Sequence, residues 1–131
     1  MYYLYKYLDP KTDECLYIGQ TKNLYTRHLN HLCNKNETWC NRLTVMKYIE
    51  VPDKYNLNFL EMYLINKEMP NYNTFGKMKM DHEFIKIEFD PEWKNYTKED
   101  FLKNASEKGK RFGIDYKVNI ENNNLLKTLL L

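Results

Sequence analysis

Two short aromatic runs, separated by a tight turn and followed at once by a helix, constrain this chain more than any other feature. Residues 2–8, YYLYKYL, are rich in Tyr and Leu and read as a β-strand, and residues 14–19, ECLYIG, read as a second. DPKTD, residues 9–13, supplies Pro and Asp for the bend between them. With Leu8 opposite Glu14, the register sets Tyr7 against Cys15, Tyr5 against Tyr17 and Tyr3 against Gly19. Tyr5 and Tyr17 are then direct cross-strand neighbours, their side-chain roots ~5 Å apart. Gly19 leaves room beside them for a close backbone approach or a ligand.

A helix is expected over residues 23–33, with Asn23 as its cap and Tyr25, Leu29 and Leu32 as its apolar stripe. Arg27 and His31 are four residues apart and share a neighbouring face, whereas His28 lies nearer the apolar side and reads as structural. Residues 43–51, LTVMKYIEV, read as a third strand stopped by Pro52. A second helix is expected over 57–67, closed by Pro70, with a stripe of Leu57, Leu60, Leu64 and Ile65. Glu61 falls in the middle of that stripe. A carboxylate there is costly unless it is paired or bound to a cation.

After PNYNTFG, residues 70–76, the character changes. Residues 82–90 alternate like a strand, Thr97 and Asp100 are spaced as a capping box, and Gly109 reads as a helix stop. The organisation expected is a core of residues 1–76 and an extension of residues 77–131, ending in a leucine cluster at 125–131 that docks on the domain or joins two copies as a homodimer.

Composition narrows the function classes. At 131 residues the chain suits one domain with an appendage, and 12 Tyr, 6 Phe and 2 Trp are enough for a real core. A net charge of +2 neither supports nor excludes nucleic acid, since a few placed cations do the phosphate work. No apolar run approaches ~18 residues and the N-terminus lacks a signal-peptide pattern, so a cytoplasmic location is expected. Three cysteines do not form a disulfide framework, and His31, Cys33 and Cys40 fit no common zinc spacing. They read as incidental thiols.

Taken together, the ordered motifs resemble the GIY-YIG nuclease superfamily. The first motif is Tyr3-Leu4-Tyr5, with Tyr3 where the family has glycine, and the second is Tyr17-Ile18-Gly19. Arg27 and His31 fall at the family's helix positions, Glu61 at its metal-binding glutamate and Asn73 at its closing asparagine. The resemblance covers about the first 75 residues. It implies an α+β fold with a three-stranded antiparallel sheet flanked by helices, and a Mg²⁺- or Mn²⁺-dependent endonuclease acting on DNA.

On that resemblance, Tyr5 or Tyr17 activates water, the first being favoured as base, while Arg27 and His31 hold the phosphate. Glu61 carries the metal, and Asn73 orients its hydration shell or braces the turn. An ordinary tyrosine titrates near 10, so the base needs a cationic surrounding. The bland alternative for Glu61 is an ion pair with Arg27. DNA contacts are expected from Lys22 in the turn and from Lys108, Lys110 and Arg111, which lie in the most basic window of the extension. The rival reading is an inactive module of the same fold that binds nucleic acid or protein.

Overall fold

The computed structural model describes residues 1–74 and 87–107 in full and the backbone on to Arg111. Its elements are β1 (Tyr2–Leu8), β2 (Cys15–Thr21), α1 (Leu24–Cys33), β3 (Val45–Val51), α2 (Lys54–Glu68), β4 (Lys94–Asn95) and α3 (Lys98–Arg111). The hairpin turn is held by Asp9, whose side chain accepts from the Lys11 and Thr12 amides at 2.9 and 3.1 Å. Asp13 then takes a left-handed conformation, φ 60°, which a short polar side chain tolerates.

The sheet has four strands rather than the three expected, all antiparallel, in the order β2-β1-β3-β4. β4 pairs Asn95 with Lys47 and Lys94 with Tyr48. Two residues hold no alternation to read, so a strand this short exists only through its partner.

The hairpin register also departs from expectation, by two residues. Tyr7 pairs with Tyr17, Tyr5 with Gly19 and Tyr3 with Thr21, and an irregularity between Tyr7 and Leu8 sets Leu8 against Cys15. A two-residue shift keeps every side chain on its face. Tyr5 and Tyr17 therefore stay on one side of the sheet, but as diagonal neighbours. The space over Gly19 holds no room for a ligand because the Tyr5 phenol fills it. A Cβ at Gly19 would overlap Tyr5 Oη and Cζ and reach 3.0 Å from Tyr17 Cε1.

Central strand β1 is covered on both faces. Tyr5 and Tyr7 pack with Leu16, Leu24, Met46 and Phe101 on the side of α1 and α3, while Leu4, Ile18 and Ile49 pack with Leu57 and Leu64 of α2 on the other. Asn23 caps α1 by accepting from the Thr26 amide at 3.0 Å. The inward face of α1 is Leu24, His28 and His31, with Tyr25, Leu29 and Leu32 only partly buried, so the histidines point further inward than the apolar stripe suggested. α2 begins earlier than expected because Asp53 caps it through the Asn56 amide at 2.8 Å.

Beyond Pro70 the chain returns along β2, the first edge of the sheet. The Tyr72 amide donates to the Leu16 carbonyl at 3.0 Å, and Asn73 accepts from the Ile18 amide and donates to its carbonyl, both at 2.9 Å. These bonds satisfy backbone groups that an edge strand otherwise leaves open. Thr97 and Asp100 form the expected reciprocal cap of α3, at 3.1 and 3.2 Å. Gly109, read as a stop, lies inside α3. Residues 87–90 are not a strand, and residues 82–86, the side chains of Lys108, Lys110 and Arg111, and the leucine cluster lie outside the described residues. Among the described residues no helix is long and apolar enough to cross a membrane.

Candidate active site

Strand alternation sends Tyr5 and Tyr7 toward α1, and the three-residue spacing of His28 and His31 turns both rings back to meet them. Tyr5 Oη lies 2.9 Å from His31 Nε2, and Tyr7 Oη lies 2.8 Å from His28 Nδ1. The two pairs differ in what stands behind them. His31 Nδ1–H donates to Glu37 Oε2 at 2.7 Å, and Glu37 Oε1 accepts from Asn34 Nδ2 at 2.7 Å. A carboxylate on Nδ1 leaves Nε2 as the acceptor, so the Tyr5 hydroxyl donates to it. His28 instead is buried and packs against the Phe101 and Tyr96 rings, at 5.0 and 5.9 Å.

Burial holds these groups neutral. It pushes Tyr5 far above the usual phenol range, with Tyr17 adding to the rise and Arg27 opposing it. Tyr17 is also raised by burial and by Glu37, against Arg27 and the neighbouring Tyr5 hydroxyl, which lower it. His31 is lowered by burial although Glu37 works the other way. Tyr5 is completely enclosed, whereas Tyr17 is only partly so. Of the two tyrosines, Tyr17 is the one that meets solvent.

Arg27 is exposed on the solvent side of α1, yet its charge is felt by Tyr5, Tyr17, His31 and Glu61. Glu61 lies half-buried on the inward stripe of α2, where burial raises its pKa and the Gln20 amide, Lys54 and Arg27 bring it down. Gln20 is itself placed by Asn58 Oδ1 at 2.9 Å and Lys54 Nζ at 2.6 Å. Among the described residues Glu61 has no ion pair with Arg27; the pairs within 4.0 Å are His31–Glu37 and Lys6–Glu68. Glu68 shares the same stripe seven residues on, and there Lys6 answers it at 3.6 Å.

Asn73, grouped with these residues by sequence, spends its amide on Ile18 and braces β2 beneath Tyr17 and Gly19. Lys22 stays exposed at the start of α1, its Nζ 5.2 Å from the Tyr2 ring. Sequence reading missed Glu37 and Trp39, both in the irregular loop after α1. Trp39 stacks on Tyr17 at 5.1 Å with planes 17° apart. No periodicity marks a loop residue as a partner; only the six-residue step from His31 to Glu37 places a carboxylate within reach. Gln20 and Lys54 were likewise missed as neighbours of Glu61.

The chain matches no family profile, characterised protein or solved structure. Its site is therefore read from its own chemistry. Among the described residues no group of three or more His, Cys, Asp or Glu side chains gathers around one point. There is thus, among the described residues, no cage of the kind zinc or calcium takes. Mg²⁺ fits better, because it keeps most of its water and takes one or two carboxylates together with substrate phosphate. Glu61 offers such a carboxylate, partly desolvated and without a partner cation within ion-pair distance among the described residues.

Proposed function

We propose that the chain is a divalent-metal-dependent endonuclease that hydrolyses DNA phosphodiester bonds in the manner of the GIY-YIG superfamily. The observation that carries this reading is the Tyr5–His31–Glu37 hydrogen-bonded chain, bordered by Tyr17, Arg27 and a half-buried Glu61. The neighbouring Tyr7–His28 pair has no carboxylate behind its histidine among the hydrogen bonds of the described residues, whereas Glu37 stands behind His31.

We favour Tyr17 over Tyr5 as the group that faces water, because Tyr5 is enclosed and Tyr17 is partly exposed. Tyr17 faces the attacking water and takes its proton, while its own proton passes to Tyr5 and the Tyr5 proton passes to His31 Nε2. The charge ends on an imidazolium beside Glu37, so no free phenolate forms in a buried site where it would be costly. The water oxygen bonds to phosphorus as the bond to the leaving oxygen breaks. Arg27 donates to the phosphoryl oxygens and stabilises the charge that grows on them. Glu61 would hold the metal, which supplies charge stabilisation to the phosphate and the departing oxygen. Asn73 keeps β2, and with it Tyr17, in position.

The test is incubation with supercoiled plasmid, single-stranded and branched DNA, with Mg²⁺ or with EDTA. Mg²⁺-dependent strand scission supports the reading; DNA left intact under every condition removes it.

A further inference from the structure

Three separate segments each contribute one ring to a continuous stack. Tyr17 of β2 lies on Trp39 of the loop after α1, and Trp39 lies on Tyr72 at 5.8 Å with planes 22° apart. At the inner end Tyr17 stacks on Tyr5, 6.2 Å away with planes 30° apart. The rings therefore run from the Tyr5–His31 pair outward to Tyr72, which remains 50% exposed. Near-parallel geometry is not the rule in this aromatic core. Tyr5 meets Tyr7 and His31 edge-on, and Tyr7 meets Trp39 edge-on.

The backbone that carries the outer ring is held against β2. Its amide donates to the Leu16 carbonyl, and the next residue, Asn73, makes two bonds to Ile18. Trp39 lies near-parallel to Tyr72, and half of Tyr72 stays exposed. A half-exposed ring backed by a second ring on an anchored segment is a surface that a nucleobase stacks on. A base inside a duplex has both faces occupied by its neighbours and cannot use the platform.

We propose that Tyr72 is a stacking subsite for an unpaired nucleobase, extending the Tyr17–Trp39 stack, and that the substrate class is DNA with a single-stranded or unpaired nucleotide beside the cut. The proposal rests on the nuclease reading for the cut, while the stacking itself is measured without cleavage.

A single-stranded oligonucleotide carrying 2-aminopurine is titrated with protein in EDTA. The wild type is expected to quench the fluorophore, as stacking does, and to bind the single strand more tightly than the matching duplex. Tyr72→Ala should lose the quenching and weaken single-strand binding about tenfold, in line with one base stack. Tyr72→Phe should retain both and Tyr72→Leu neither, which separates a π-face from apolar bulk. Equal quenching and affinity in wild type, Tyr72→Ala and Tyr72→Leu would overturn the subsite. Cleavage is scored separately in Mg²⁺. DNA stacked on Tyr72 but never cut removes the nuclease reading and supports the subsite; DNA cut by a protein whose stacking ignores Tyr72 overturns the subsite alone.

Discussion

The Tyr5 hydroxyl lies 2.9 Å from His31 Nε2, and the opposite nitrogen of that ring is held at 2.7 Å by Glu37. Glu37 raises the affinity of His31 for a proton while burial lowers it. If His31 must be neutral to accept the proton from Tyr5, the acid limb of the pH–rate profile follows its titration. Replacing Glu37 by Gln removes the raising influence, so the limb should move to lower pH and the maximal rate should fall by about tenfold. Single-turnover cleavage across pH measures both. A limb that stays in place detaches Glu37 from the reaction.

Glu61→Gln preserves shape and removes the charge. Cleavage in Mg²⁺ should be abolished, with the circular dichroism spectrum unchanged. Wild-type cutting by this variant would mean that Glu61 does not hold the metal.

Arg27→Ala should slow the chemical step by ~10²-fold or more, the cost of losing one preorganised donor to transition-state charge. Arg27 is exposed and its removal leaves the core packing alone, so the melting temperature should hardly move. A loss confined to DNA affinity would make it a docking residue.

Gly19→Ala introduces a methyl group where the Tyr5 phenol already lies. Tyr5 is enclosed and cannot swing away, so the strands must shift, at ~1–3 kcal/mol as for other overpacked cores. The hydroxyl would also leave His31, so urea midpoint and cleavage rate should fall together. Unchanged stability would show that Tyr5 can relocate.

His28 carries a stability prediction that needs no catalysis. Burial lowers its pKa from 6.5 to about 4. Between those values the unfolded chain binds a proton that the folded chain refuses. Stability is thus fully present above pH 6.5 and declines as the pH falls toward about 4, by on the order of 3 kcal/mol if the shift is fully expressed. His28→Gln should start less stable at neutral pH but show a shallower decline, read from urea midpoints at about pH 7.5 and about pH 5. An equal slope in both proteins would assign the decline to other groups.

What the sequence determined by itself is local. Asn23 and the Thr97–Asp100 box announce helix starts because a cap bonds to backbone only a few residues away. The strands expected at residues 2–8 and 14–19, observed at 2–8 and 15–21, are legible because aromatic and β-branched residues suit a pleated surface whatever they pair with. Tyr5, Tyr17, Arg27, His31 and Glu61 were legible as a set only through their order along the chain.

Tertiary structure decided whatever depends on a distant partner. The register turned on whether the Tyr5 ring could cross β2, which it does at Gly19, and β4 formed because β3 offered an edge. Glu61 and Glu68 occupy the same stripe of α2, and no local rule separates them; Lys6 on a neighbouring strand pairs with Glu68, while among the described residues Glu61 has no ion pair within 4.0 Å. Glu37 and Trp39 come from a loop without period, yet they orient His31 and carry the aromatic stack from Tyr17 to Tyr72. Short-range propensity reaches a few residues along the chain, whereas these contacts depend on groups that only the packed sheet and α1 bring together.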